Sequence, residues 1–127
     1  MTKFESVYED FRKALERFEE ILKEEKTDIV RDSAIKRFEL VFDLTWKTVK
    51  AFLEEFHNAN CFSPQSCFRE AFGKGLIDYD EYWIEIAKIR NRTAHAYSKP
   101  LADEIYQKLP KVLDYLRMLS SSLGRIR

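Results

Sequence analysis

Glycine and proline are scarce in this chain of 127 residues, three of each. Turn-rich β architectures lean on both, and no stretch shows sustained apolar/polar alternation, so a β-rich fold is excluded. Cysteine is nearly as rare: Cys61 and Cys67 stand alone, too few for a disulfide scaffold, and in a chain read as cytoplasmic they are expected as free thiols. His57 with these two cysteines matches no standard zinc spacing and lacks a fourth ligand, so no metal and no cofactor is expected. No apolar run approaches the roughly 20 residues of a membrane span, and MTKFESVYED has neither the basic start nor the apolar middle of a signal peptide. The expectation is a cytoplasmic protein with no membrane partner. Net charge is missing too: 22 cationic side chains cancel 22 anionic ones, so any contact with RNA would be local rather than driven by a whole-molecule field.

What the sequence does contain is helical periodicity. Phe4, Val7, Phe11, Leu15, Phe18, Ile21 and Leu22 recur at steps of three and four, which predicts an amphipathic helix from Phe4 to Leu22. Thr27 or Asp28 is placed to cap a second helix, about Ile29 to His57. Its core line runs through Val30, Ala34, Phe38, Val41, Phe42, Thr45, Val49 and Phe52, and Leu44 and Trp46 widen it, as suits the central helix. Ser63-Pro64 reads as an N-cap and first helical position for a short helix to Phe72, stopped at Gly73 or Gly75. The last helix carries Leu101, Ile105, Leu109, Val112, Leu116 and Leu123, with Pro110 expected to kink it near Tyr106; the basic end Gly124-Arg125-Ile126-Arg127 is expected to fray. At this length one domain, 1–127, is expected. The reading is all-α: an antiparallel four-helix bundle with one short extra helix.

The stretch DYDEYWIEIAKIRNRTAHAY, Asp78 to Tyr97, is predicted as one continuous fourth helix. Tyr79, Tyr82, Trp83, Ile86, Arg90, Thr93 and Tyr97 would then share one stripe, with Arg90 and Tyr97 on nearly the same heading and His95 about 140° round from Arg90. A guanidinium and a phenol on an inward-leaning stripe need partners, since burying them bare costs several kcal/mol.

Chemically, His95 could take or return a proton and Arg90 could hold a phosphate and its developing charge, with Asn91 orienting either group. Metal-free RNA cleavage is then conceivable, with two histidines supplied by a two-fold homodimer. The plainer alternative is an arginine that snorkels to solvent and a histidine that complements a helix C-terminus.

The motif Arg90-Asn91-Arg92-Thr93-Ala94-His95-Ala96-Tyr97 resembles the Arg, four residues, His, one residue, Tyr signature of the HEPN superfamily, in the branch partnered by a minimal nucleotidyltransferase. Arg31-Asp32 and Arg37-Phe38-Glu39-Leu40-Val41-Phe42-Asp43-Leu44-Thr45-Trp46-Lys47 are similar to the second helix of the nucleotidyltransferase substrate-binding proteins, and Cys67 to Ile77 is similar to their short third helix. The resemblance implies a homodimeric, metal-independent endoribonuclease toxin neutralised by a minimal nucleotidyltransferase antitoxin that adenylylates the tyrosine. Carried onto this sequence, Arg90, His95 and Asn91 would be catalytic, Tyr97 the modified residue, and Arg92 and Lys99 would help hold RNA. The family's older name implies a different function, that of a non-catalytic substrate-binding subunit of a two-component nucleotidyltransferase.

Overall fold

The computed structural model describes residues 1–126. Five α-helices follow one another: α1 Lys3–Leu22, α2 Asp28–His57, α3 Pro64–Gly73, α4 Tyr82–Arg92 and α5 Lys99–Ile126, with a 3-10 turn at Thr93–His95 between the last two. No strand occurs among the described residues. The architecture is the expected helical bundle, with α3 as its short extra member.

Local chemistry sets most of the boundaries. Thr2 and Glu5 form a reciprocal capping box at the start of α1, satisfying amides that have no partner inside the helix. Thr27 accepts from the Val30 amide to open α2, and Ser63 caps α3 just ahead of Pro64. The end of α2 falls at Asn58, whose φ of 48° is left-handed and turns the chain out of the helix. Pro110 lies inside α5, which runs unbroken to Ile126; Arg127, the last residue of the expected frayed end, lies outside the described residues.

The central position expected for α2 is observed, since it packs against α1, α3, α4 and α5. Phe18 of α1, Phe38 and Phe42 of α2, Phe68 of α3 and Trp83 of α4 form a continuous run of rings with centroids 6.1, 6.0, 6.0 and 5.0 Å apart. Such tilted pairs add about 0.5–1.5 kcal/mol each beyond the area they bury. The buried hydroxyls of Thr45 and Thr48 donate to the carbonyls of Val41 and Leu44, both at 2.6 Å, so they sit in the apolar core without an unmet donor.

Two expectations fail here. Cys61 and Cys67 are joined in a disulfide rather than free, with Cα atoms 5.0 Å apart and both residues buried. Reasoning from compartment ignored the turn: the Ser63 cap folds the chain back, so that a cysteine in the first turns of α3 meets the one just before the cap. Helix α4 is also shorter at both ends than the predicted Asp78–Tyr97. At its start an Asp80 carboxylate oxygen accepts from the Tyr82 amide at 2.9 Å and the other from the Tyr115 hydroxyl, which leaves Tyr79 in the preceding loop and 63% exposed. At its end Thr93 Oγ1 lies 2.7 Å from the Arg90 carbonyl, and the Ala96 amide bonds back to the Thr93 carbonyl at 3.1 Å, a three-residue step that tightens the turn.

Candidate functional site

Arg90 sits in the last turn of α4 and reaches across to α2. Nη1 donates to Glu39 Oε2 at 3.0 Å, and Nε and Nη2 each approach the Asp43 carboxylate at 3.4 Å. Glu39 and Asp43 are four residues apart, one turn of α2, so both carboxylates face the same neighbour. Thr93 completes the cluster. Its hydroxyl oxygen accepts from Arg90 Nη1 at 3.0 Å, and its proton is within reach of both Glu39 Oε2 at 3.0 Å and the Arg90 carbonyl. Thr93 is buried, as its place on the inward stripe predicted.

This cluster walls an open groove of about 400 Å³ between α1, α2 and α4, lined by Ala14, Arg17, Lys36, Arg37, Leu40, Glu39, Asp43 and Arg90. Arg37 is aimed by a 2.7 Å bond from its Nη1 to the Arg17 carbonyl. Four cations stand against two carboxylates, and Leu40, 56% exposed, offers apolar surface. Such a lining suits an anionic or amphipathic ligand.

The other residues singled out from the sequence lie apart from the groove lining. Asn91 is exposed at the end of α4, and His95 is exposed on the 3-10 turn. Tyr97 is 88% exposed beyond that turn, its ring centroid 6.5 Å from that of His95 in an edge-on contact. Because the helix does not continue through residue 97, the shared heading of Arg90 and Tyr97 is lost. Arg92 pairs with Glu104 of α5 at 2.8 Å, and Lys99 lies 3.9 Å from Asp28. Arg92 is thus tied to α5, whereas Lys99 is largely exposed.

Two residues central to the site went unassigned in the sequence reading, Glu39 and Asp43. Their signal was available: paired acids one turn apart on the most enclosed helix need a cation from a neighbour. A second cluster, around Arg31, ties the start of α2 to α5. Its guanidinium donates to Asp32 at 3.0 Å, Asp103 at 3.1 Å and Asp28 at 3.4 Å, and Lys26 joins Asp103 at 3.0 Å. Hydrogen bonds from Lys26 and then Arg31 hold the Asp103 carboxyl below its ordinary range.

No group of three or more His, Cys, Asp or Glu side chains that could hold a metal occurs among the described residues, and Cys61 and Cys67, joined to each other, present no thiolate. Nor is any helix among them long and apolar enough to cross a membrane.

Fold and groove together define an all-α helical bundle with a charged, partly apolar groove between α1, α2 and α4. Comparison with known proteins is more specific: residues 6–125 match the family described as nucleotidyltransferase substrate binding protein like, and the chain belongs to that family. A crystal structure of a protein from Thermus thermophilus is similar to it at 35% identity and a TM-score of 0.81, covering 92% of this chain and 98% of the other. The Haemophilus influenzae protein HI0074, described as revealing the fold of a substrate binding domain of a nucleotidyltransferase, is similar in fold at 21% identity and a TM-score of 0.70, covering 95% of this chain and 96% of the other. No curated protein matches the chain.

The family match corrects the endoribonuclease toxin reading and favours the substrate-binding alternative. Two carboxylates and a hydroxyl fix the Arg90 guanidinium against the groove wall.

Proposed function

We propose that this chain is the non-catalytic substrate-binding subunit of a two-component nucleotidyltransferase, with the groove beside Arg90 as the place where substrate is held. The observation that carries the reading is the family match over residues 6–125; the groove, with Arg17, Lys36 and Arg37 around exposed Leu40, supplies a surface of suitable size and charge. Arg90 acts there through position: fixed by Glu39, Asp43 and Thr93, it joins α4 to α2 and shapes the groove wall. Asn91, His95 and Tyr97 are exposed contact residues under this reading, and none of them moves a proton. The wider kinship with the HEPN superfamily is part of the same inference, supported by the Arg90-to-Tyr97 motif. So is a two-fold homodimer whose axis passes near α4, supported by the exposed Tyr97 just beyond that helix.

The test is reconstitution. A single-domain nucleotidyltransferase from the same genome, supplied with α-labelled nucleoside triphosphates and a cell extract, is expected to label an acceptor when this chain is added, and to do so less when Arg17→Ala and Arg37→Ala are combined. Labelling indifferent to the chain would overturn the reading.

A further inference from the structure

Away from the Arg90 groove, the loop between α3 and α4 builds a second feature. Phe72 and Tyr79 are 45% and 63% exposed, yet their rings meet edge-on with centroids 5.1 Å apart. Behind them a small pocket of about 60 Å³ is floored by Phe68 and Trp83 and closed by Ile77 and Ile84. The pocket has room for one apolar side chain, and Ile77, Asp78, Tyr79, Asp80 and Trp83 also border a wider groove of about 680 Å³ that carries Arg117 and Arg125.

The rim is acidic: Asp78, Asp80 and Glu81 stand against one cation, Arg69. Two of these carboxylates also fix the geometry, Glu81 accepting from the Tyr79 hydroxyl and Asp80 from that of Tyr115. The Tyr115 hydroxyl and the Tyr82 amide hold the Asp80 carboxyl below its usual range. Two aromatic rings ordered in advance, around an apolar hole with a negative rim, make a low-entropy anchor site.

We propose that the Phe72–Tyr79 pocket docks the nucleotidyltransferase catalytic subunit, through an apolar side chain of that subunit flanked by lysine or arginine. The rim's charge selects the basic flanks and the pocket volume selects a single inserted side chain. The proposal rests on the function proposed above and gives it a second surface: substrate is held beside Arg90, and the enzyme docks at the α3–α4 loop.

The test is titration calorimetry of the purified catalytic subunit into this chain, into Tyr79→Ala, and into Asp78→Lys, whose exposed position leaves folding to be confirmed by an unchanged thermal melt. Affinity is expected to fall about tenfold in Tyr79→Ala, the usual scale for an interface anchor, and to fall with a flattened salt dependence in Asp78→Lys. Tight binding by the wild type that both variants retain would overturn the docking site while leaving the proposed function standing. No binding by the wild type would defeat the functional reading and the docking site together. Sedimentation of the chain alone is the third arm: a dimer converted to monomer by Tyr79→Ala would make the occupant a second copy and overturn the proposal.

Discussion

Arg31 and Arg90 put the same side chain into two settings, each ringed by carboxylates. Arg31 is the more enclosed, its side chain 8% exposed against 26% for Arg90. It joins α2 to α5 through Asp103, with Asp28 and Asp32 completing the ring and Lys26 adding a second cation. Arg90 joins α4 to α2 through Glu39 and Asp43, but one side of its cluster borders the groove. The contrast teaches that ion-pair chemistry does not separate a fastening from a binding site. What separates them is whether the guanidinium is itself covered, as Arg31 is, or borders a space that a ligand can enter.

Arg31→Ala should have the largest effect on stability, because the side chain with 8% exposure is lost along with its link from α2 to the partly buried Asp103 of α5, whereas Asp28 and Asp32 are exposed and return to water. Thermal melts followed by circular dichroism should place this variant well below Arg90→Ala; equal melts would erase the distinction. Arg90→Ala should lose about 1–2 kcal/mol in urea denaturation, moderated by its partial exposure, while weakening substrate retention beyond what the stability loss explains. A binding loss in Arg31→Ala as large as in Arg90→Ala would assign the two clusters the same role.

The smallest effect is expected from acid. Asp103 is held below the ordinary aspartate value of 3.8 by Lys26 and Arg31, so its contribution is present above that value and fades as pH falls through the lowered one. Stability should therefore drop as pH goes below about 4, and Asp103→Asn should be weaker at neutral pH with a shallower acid slope. Some slope should persist in that variant, since Asp80, held down chiefly by Tyr115, changes in the same direction. An unchanged slope would show that the Arg31 cluster carries none of the acid sensitivity.

Legibility from sequence varied by region for identifiable reasons. The bounds of α1, α2 and α3 followed from caps and apolar spacing, since Thr27, Ser63 and Pro64 act within a turn of where they stand. Helix α4 was misjudged because the residues that end it do so through other elements: Asp80 is engaged by Tyr115 of α5, and Thr93 by Glu39 of α2. The stripe put Arg90 on an inward-leaning heading and gave it Tyr97 as a companion from the same segment, whereas its partners are Glu39 and Asp43 of α2. The disulfide was missed because compartment was weighed and the geometry of a six-residue separation was not.

The sequence by itself determined the helical class, the central role of α2, the core-facing stripes and the short capped α3, because periodicity and capping are decided by residues within a few positions of one another. Only the tertiary structure decided which carboxylates hold each arginine and therefore which cluster opens to a groove. The Arg90–Asp43 and Arg31–Asp103 contacts join residues 47 and 72 positions apart, and at that range a partner is set by how the helices pack rather than by their own sequence.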